Sequence, residues 1–311
     1  MKKKKSAPPR LGVSIWKHRQ YYLILLPVMA YFIIFCYGPM YGVIIAFKDF
    51  NPLQGILKSP WCDPWYKNFT LAFQSDLFIR SLRNTLIISF LKIFVAFPLP
   101  ILFAILIDEL PGRRFKKSIQ TVSYLPYFIS WVVLSGILRN LLSTNGGAVN
   151  NLIQMFGGHA INFFASKTRF RGLVFFSYVW KTIGYSSVIY LAAISGIDQE
   201  QYEAARIDGA NRFQLIGHIT LPSIMPVVVI MLILSLGGVL SAGFDQIFNL
   251  YSDSVMETGD IIDTYVYRVG MLKQQYSYSA AVGLFKNIIG LVLVVGSNLF
   301  VKKIDSDSAL F

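Results

Sequence analysis

Charged side chains are scarce in this chain. They make up 14% of 311 residues, against 54% hydrophobic, where a soluble domain averages about 25% charge. That scarcity excludes an ordinary water-facing surface around the whole molecule. Cysteine is nearly absent: Cys36 lies inside an apolar run and Cys62 in a loop, too few for a disulfide framework. The three histidines, His18, His159 and His218, are scattered, so no metal cluster or catalytic dyad can be assembled from them. No G-x-x-x-x-G-K-[ST] phosphate loop occurs, and ATP hydrolysis is not expected of this chain. An intramembrane enzyme would need paired acids or a His-rich set within the apolar segments, and neither is visible.

Long apolar stretches are what the chain does contain. Six spans are predicted, near 21–47, 82–107, 118–142, 173–194, 223–250 and 280–301, each long enough to cross a bilayer. Helices are the expected form, because lipid leaves backbone polar groups no outside partner. Charge then predicts orientation. The basic start with Arg10, Lys17 and Arg19, the loop at 108–117, and Lys302 with Lys303 fall on one side, read as cytoplasmic. Asp253, Glu257, Asp260 and Asp263 fall on the other. Lys48, Lys58 and Lys67 in the first outer loop run against the bias. The net charge of +13 does not suggest nucleic acid, since the basic residues flank apolar spans instead of forming a patch.

The expected organisation is a basic cytoplasmic tail at 1–20, a first transmembrane helix at 21–47, an extracellular loop at 48–81, a core at 82–302, and a cytoplasmic tail at 303–311. The first apolar run exceeds a signal peptide's core and no A-x-A-like site follows, so it is read as a retained anchor. The stretch 149–156 suits a short interfacial helix. Asn68-Phe69-Thr70 fits a glycosylation acceptor, a short and common match that is discounted.

A polar stretch, EAARIDGANRFQLIGHITLP from Glu203 to Pro222, interrupts the apolar pattern. Asp198 can cap a helix, with Gln201 in the capping-box position. Gly209 stands where a left-handed residue would end it. Asn211 and Gln214 repeat the capping pattern, opening a second helix with Phe213, Ile216 and Ile219 on one face. Pro222 is expected to stop that helix and start the next span. Helices this short are marginal alone in water. Lipid headgroups, neighbouring loops or a partner protein would each give them a surface.

Glu203-Ala204-Ala205, three residues, Gly209, nine residues, then Ile219-Thr220-Leu221-Pro222 resembles the EAA loop of ABC-importer permeases. The resemblance covers most of the chain, as a six-span type I permease. The segment YYLILLPVMAYFIIFCYGPMYGVIIAFKDFNP further resembles the LplB-like branch that imports complex saccharides. It implies an all-α membrane protein with six transmembrane helices and a cytoplasmic coupling helix (EAA loop 198–222), docked in a cleft of an ATP-hydrolysing subunit. Glu203, Ala204, Ala205, Asp208 and Gly209 would form that contact. It also implies a second, homologous permease, two ATP-binding subunits carrying ATP and Mg, and an extracellular solute-binding protein that delivers a saccharide. No cofactor is implied on this chain itself.

Polar residues inside the spans suggest where a substrate would pass. In the fourth span, Trp180, Tyr185, Ser186, Ser187 and Tyr190 combine aromatic faces with hydroxyls, which suits sugars; packing or an interface belt is the alternative. Asp245 and Asn249 stand four apart, on one helix face, to line the outer mouth or to pair with neighbouring helices. Lys92 and Lys286 are read as buried structural pairs before substrate contacts. Gly237-Gly238 and Gly243 allow close helix approach or bending. The rival function is an ion-gradient-driven secondary transporter, which would need an acidic site; Asp245 is the one candidate seen in the spans.

Overall fold

The computed structural model describes residue 16 and residues 18–304. The basic stretch 1–15, Lys17 and the end of the chain from 305 lie outside the described residues. Among the described residues the structure is helical, with a lone β-bridge between Lys48 and Trp61 and no strand. We label the elements that build the site α1 (Arg19–Phe47), α2 (Asp76–Asp108), α3 (Arg113–Phe128), α4 (Trp131–Leu141), α5 (Lys167–Ser195), α6 (Gln199–Ile207), α7 (Arg212–Gly237), α8 (Phe244–Leu250) and α9 (Tyr276–Ile304).

Among the described residues, α1, α2, α7 and α9 are long and apolar enough to cross a membrane. The pair α3 and α4 makes a fifth span if counted as one. With 29 residues, α5 reaches about 43 Å, but it carries Lys167, Arg169, Arg171 and Lys181 and is more polar than the rest.

Prolines shape these helices in a regular way. Pro39, Pro98 and Pro222 each stand two residues after a π-helical turn, at Phe32–Tyr37, Leu91–Ala96 and Ile216–Thr220. A proline lacks the donor for the carbonyl four residues back and collides with it; the widened turn removes that conflict. Pro222 therefore does not end a helix, as the sequence suggested. Instead α7 runs unbroken through it from the polar elbow into the apolar span.

Two predicted spans are broken. The third bends by 101° between α3 and α4. A 3-10 turn at Leu125–Phe128 ends α3, and Ser130 caps α4 by accepting from the Val133 N–H at 3.3 Å. The fifth span stops at Gly237, passes through a non-helical stretch to Gly243 at φ +99°, and resumes as the separate α8. Each break frees backbone carbonyls that lipid could not satisfy, and a lysine from a neighbouring helix meets them. Lys181 Nζ donates to the carbonyls of Pro126 (3.3 Å), Tyr127 (2.7 Å) and Ile129. Lys92 Nζ donates to the Ala242 carbonyl at 2.6 Å.

The second span begins earlier than expected, at Asp76, because Ser75 accepts from the Phe78 N–H and caps it. The loop between α1 and α2, expected to be extracellular, is held by buried polar groups. Lys48 is buried and donates to the carbonyls of Ile56, Leu57 and Ser59, which explains one basic residue that ran against the charge bias. Asn68 is buried too, with Nδ2 on the Ala46 carbonyl at 3.0 Å, so its glycosylation match is structural. The expected helix near 149–156 is observed at Ala148–Met155. Asn150 staples it by donating to the carbonyls of Leu142, Ser143 and Ile161. Cys36 and Cys62 are free thiols.

One buried apolar cluster lies between α2, α5 and α7, where Ile101, Ala104, Ile107, Tyr190, Leu191 and Ile224 pack together, and two others gather around Phe170 and Ile247 and around Phe78 and Val282. At the far end the connection before α9 folds over the bundle. Asp260, wholly buried, takes Arg268 through both carboxylate oxygens at 3.1 and 2.5 Å and accepts from Thr264 at 2.8 Å. Asn84 holds the carbonyls of Glu257 and Asp260, and Arg171 holds Asn84. Where α7 meets α9, a Cβ on Gly290 would lie 2.7 Å from the Gly237 carbonyl oxygen. Glycine there lets the two backbones touch.

Candidate functional site

Two sites stand out at different depths of the bundle. The first is the elbow between α5 and α7. Asp198 caps α6 by accepting from the Glu200 N–H at 3.0 Å; the reciprocal contact expected from Gln201 does not form. At the other end the Gly209 N–H reaches the Arg206 carbonyl at 3.1 Å and the Ala210 N–H reaches the Ala205 carbonyl at 2.9 Å. This is a Schellman ending, with Gly209 at φ +86°. Asn211 and Gln214 then form a full capping box, at 3.0 and 2.8 Å. Tyr202 and Thr220 join the two arms through their hydroxyls at 2.9 Å.

The elbow presents its polar and apolar groups outward. Glu203, Ala204, Asp208 and Gly209 are exposed and Ala205 is half-buried. Ile207 and Phe213 are 87% and 86% exposed, an unusual position for large apolar side chains at a polar bend. Phe213 thus leaves the face it was expected to share with Ile216 and Ile219; Leu215 is buried in its place. A hollow of about 320 Å³ opens beside Ala205, Asp208, Gly209 and His218.

The second site is a cavity of about 630 Å³ at the middle of the bundle, walled by α2, α5 and α7 and by Tyr127 at the α3 break. The Tyr185 and Tyr127 rings stack at 3.9 Å, only 8° from parallel. Hydroxyls of Ser89, Thr182, Ser186, Ser235 and Ser241 belong to the same walls. Among the described residues lining it, Lys92 is the one charged group. Its Nζ also donates to Gln246 Oε1 at 2.8 Å and sits 4.2 Å from the centre of the Tyr178 ring.

Tyr185 and Tyr190 come to this cavity, while Trp180 and Ser187 do not. At about 100° per residue, Tyr178 and Tyr185 share one stripe of α5, and Trp180 and Ser187 share another, nearly opposite. Trp180 faces a separate apolar hollow with Leu138, Leu142 and Phe176. Ser187 is wholly buried and donates to the Gly184 carbonyl at 2.6 Å. Asp245 and Asn249 lie on α8, away from the cavity, where Asn249 Nδ2 donates to the Asp245 carbonyl at 2.7 Å. No acid lines the cavity among the described residues. Lys286 pairs with Asp263, as the sequence suggested.

Sequence reasoning passed over Ser89, Tyr127, Tyr178 and Thr182 as lining groups. Ser89 and Lys92 stand three apart, on one face of α2, a signal that was available. Tyr127 gave none, because only the bend of the third span brings it to α5.

Apolar spans, a largely apolar cavity between them that carries tyrosines, hydroxyls and one lysine, and an exposed elbow fit a membrane transport subunit. The chain belongs to the family of binding-protein-dependent transport system inner membrane components, whose pattern it matches over residues 96–306. It is 42% identical to the polygalacturonan/rhamnogalacturonan transport system permease protein YteP of Bacillus subtilis, over 96% of this chain and 93% of that one. To the protein LplB of the same organism it is 41% identical, over 92% and 89%. Among solved structures it is similar to a chain of a bacterial ABC transporter that imports the acidic polysaccharide alginate. There the TM-score is 0.88 and the identity 38%, over 95% of this chain and 99% of that chain. A bacterial alginate ABC transporter in complex with an alginate pentasaccharide-bound periplasmic protein also contains a similar chain, at a TM-score of 0.87 and 38% identity, over 95% of this chain and 98% of that one. The fold is that of a type I ABC-importer permease, and the chain is the transmembrane permease subunit of such an importer.

Proposed function

We propose that this permease forms half of an import pathway for an oligo- or polysaccharide, beside a second, homologous permease. Six crossings, with α3–α4 and α5 each counted once, leave both chain ends and the elbow in the cytoplasm. An extracellular binding protein delivers the saccharide to the opposite face. The carrying observation is the elbow itself: a capped, glycine-hinged helix pair that leaves Ile207 and Phe213 exposed and runs without a break into α7. Such a surface fits a cleft on an ATP-binding subunit, which supplies the ATP and Mg. Glu203, Ala204, Ala205, Asp208 and Gly209 make the contact. Because α7 is continuous with it, a shift of the elbow moves a wall of the cavity as a rigid lever.

Tyr185 and Tyr190 supply the aromatic face on which sugar rings rest, with the nearby hydroxyls as polar partners. Trp180, Ser187, Asp245 and Asn249 serve packing and the outer α8 instead.

The test is a reconstituted permease–ATPase complex carrying Glu203→Lys or Gly209→Trp. Saccharide uptake and substrate-stimulated ATPase activity should both fall at least tenfold while the permease remains folded. Unchanged activity in both variants would remove the coupling role. Uptake abolished by an uncoupler at constant ATP would instead show an ion-driven carrier.

A further inference from the structure

The hollow beside Trp180 is apolar along most of its length and charged at one end. It holds about 500 Å³ between α4, α5 and the short helix Ala148–Met155. Its α5 wall is a single stripe: Arg169, Leu173, Phe176 and Trp180 follow at steps of three or four residues, with Gly172 beside them. Phe176 and Trp180 are 71% and 51% exposed, so the hollow opens away from the bundle. Ser177, which also lines it, has its hydroxyl engaged within the bundle, donating to the Leu173 carbonyl at 2.7 Å and accepting from Gln246 Nε2 at 3.0 Å. The charge lies at the end away from the elbow. There Lys167 pairs with Glu257, and Arg171 donates to the Thr258 carbonyl at 3.2 Å and to Asn84 Oδ1 at 2.8 Å. The exposed guanidinium of Arg169 has no partner among the described residues. Along the helix Arg169 stands about 39 Å from Ser195 and Trp180 about 22 Å. In a bilayer about 40–45 Å thick with its headgroups, Arg169 falls in the headgroup layer and Trp180 in the hydrocarbon.

We infer that this hollow is a phospholipid site: the phosphate accepts from Arg169, and one acyl chain runs past Gly172 to Trp180. This goes beyond the saccharide reading and shares with it only the side of α5 on which the pathway lies. The Trp180 stripe is nearly opposite the stripe that carries Tyr178 and Tyr185 to the central cavity. The pathway and the second permease belong on the cavity side, which leaves the Trp180 side to lipid. The division of the hollow into an apolar length and a cationic end is that of a phospholipid. A guanidinium fork matches phosphate oxygens, and the charge strengthens the hydrogen bonds. Gly172 leaves room for the chain, since a Cβ there would meet nothing within 4 Å. A chain in that space gives the lining side chains dispersion contacts that the protein alone does not supply, and so braces α4 against α5.

Trp180 is its own reporter, because bromine on an acyl chain quenches indole fluorescence on contact. The complete complex of both permeases and both ATP-binding subunits, in detergent, is titrated with phosphatidylglycerol brominated at mid-chain. The signal read is the quenching that a Trp180→Phe complex lacks. It should saturate. Arg169→Gln should raise the half-saturating lipid concentration about tenfold, the fold-change of one charge-assisted contact, and Arg169→Lys should raise it less. Brominated diacylglycerol, with the same chains and no phosphate, should bind wild type as weakly as phosphatidylglycerol binds Arg169→Gln. Gly172→Leu should abolish the saturable signal without lowering thermal stability, since its side chain enters open space and leucine favours a helix over glycine. Quenching that never saturates, or that ignores both Arg169→Gln and Gly172→Leu, overturns the site. So does a complete complex in which Trp180 is not quenched at all, which would place the second permease over the hollow. Neither result touches the saccharide reading, which uptake measures separately.

Discussion

Tyr185 of α5 lies flat against Tyr127, the ring centroids 3.9 Å apart, at the point where the third span breaks. The stack joins a continuous helix to a bent one and forms one wall of the central cavity. Offset aromatic pairs contribute about 0.5–1.5 kcal/mol beyond the area they bury. Either tyrosine changed to leucine should lower thermal stability of the solubilised protein by about 1 kcal/mol. The double variant should cost less than the sum, because the pair is lost only once. Additive effects in that cycle would mean the rings do not stack in the membrane.

Lys181→Met should be more damaging than its half-polar surroundings suggest. Its ammonium serves the carbonyls of Pro126, Tyr127 and Ile129 at the α3 break. Hydrogen bonds involving a charged group contribute about 1.5–3 kcal/mol each, and carbonyls left unpaired add their desolvation cost. A loss on the order of 3 kcal/mol is expected in a thermal unfolding series. Protease sensitivity between α3 and α4 should rise with it. A methionine variant as stable and as resistant as wild type would show the break needs no donor.

Gly209 separates conformation from space. A Cβ there would meet nothing within 4 Å, yet its φ is +86°. Gly209→Asn should be tolerated, since asparagine enters the left-handed region readily, whereas Gly209→Val should cost about 1–2 kcal/mol and distort the elbow. Binding of the ATP-hydrolysing subunit, measured by co-purification, should survive asparagine and fail with valine. Equal behaviour of the two variants would place the requirement elsewhere.

Asp260 is wholly buried and pairs with Arg268, whose side chain is 18% exposed. Removing one partner of a buried pair strands the other charge, at a cost of about 3–5 kcal/mol. Asp260→Ala should therefore strongly destabilise the segment that precedes α9. Adding Arg268→Met to it should restore part of the loss. Hydrogen exchange over residues 253–272 reports both effects. A single variant no worse than the double would show that the pair is not desolvated in the membrane-embedded protein.

Local features were legible in the chain. The caps at Asp198 and Asn211 and the glycine ending at Gly209 act through bonds spanning two to five residues, so their residue types carry the geometry with them. Pro222 misled because its usual effect was relieved by the π-helical turn just before it, which has no fixed residue signature. The fifth span misled because apolar composition cannot tell a continuous helix from one interrupted at Gly237 and resumed at Phe244.

By itself the sequence determined that the chain is helical and membrane-embedded, and that it carries a hinged polar elbow. Hydropathy and capping act between near neighbours, and those are written in order along the chain. Only the tertiary structure decided which polar groups share the cavity. Lys92 meets the Ala242 carbonyl across 150 residues, and Tyr127 reaches Tyr185 because α3 ends where it does. Contacts of that kind depend on where helices bend and which stripe each turns inward, and those are set by packing among all the spans at once.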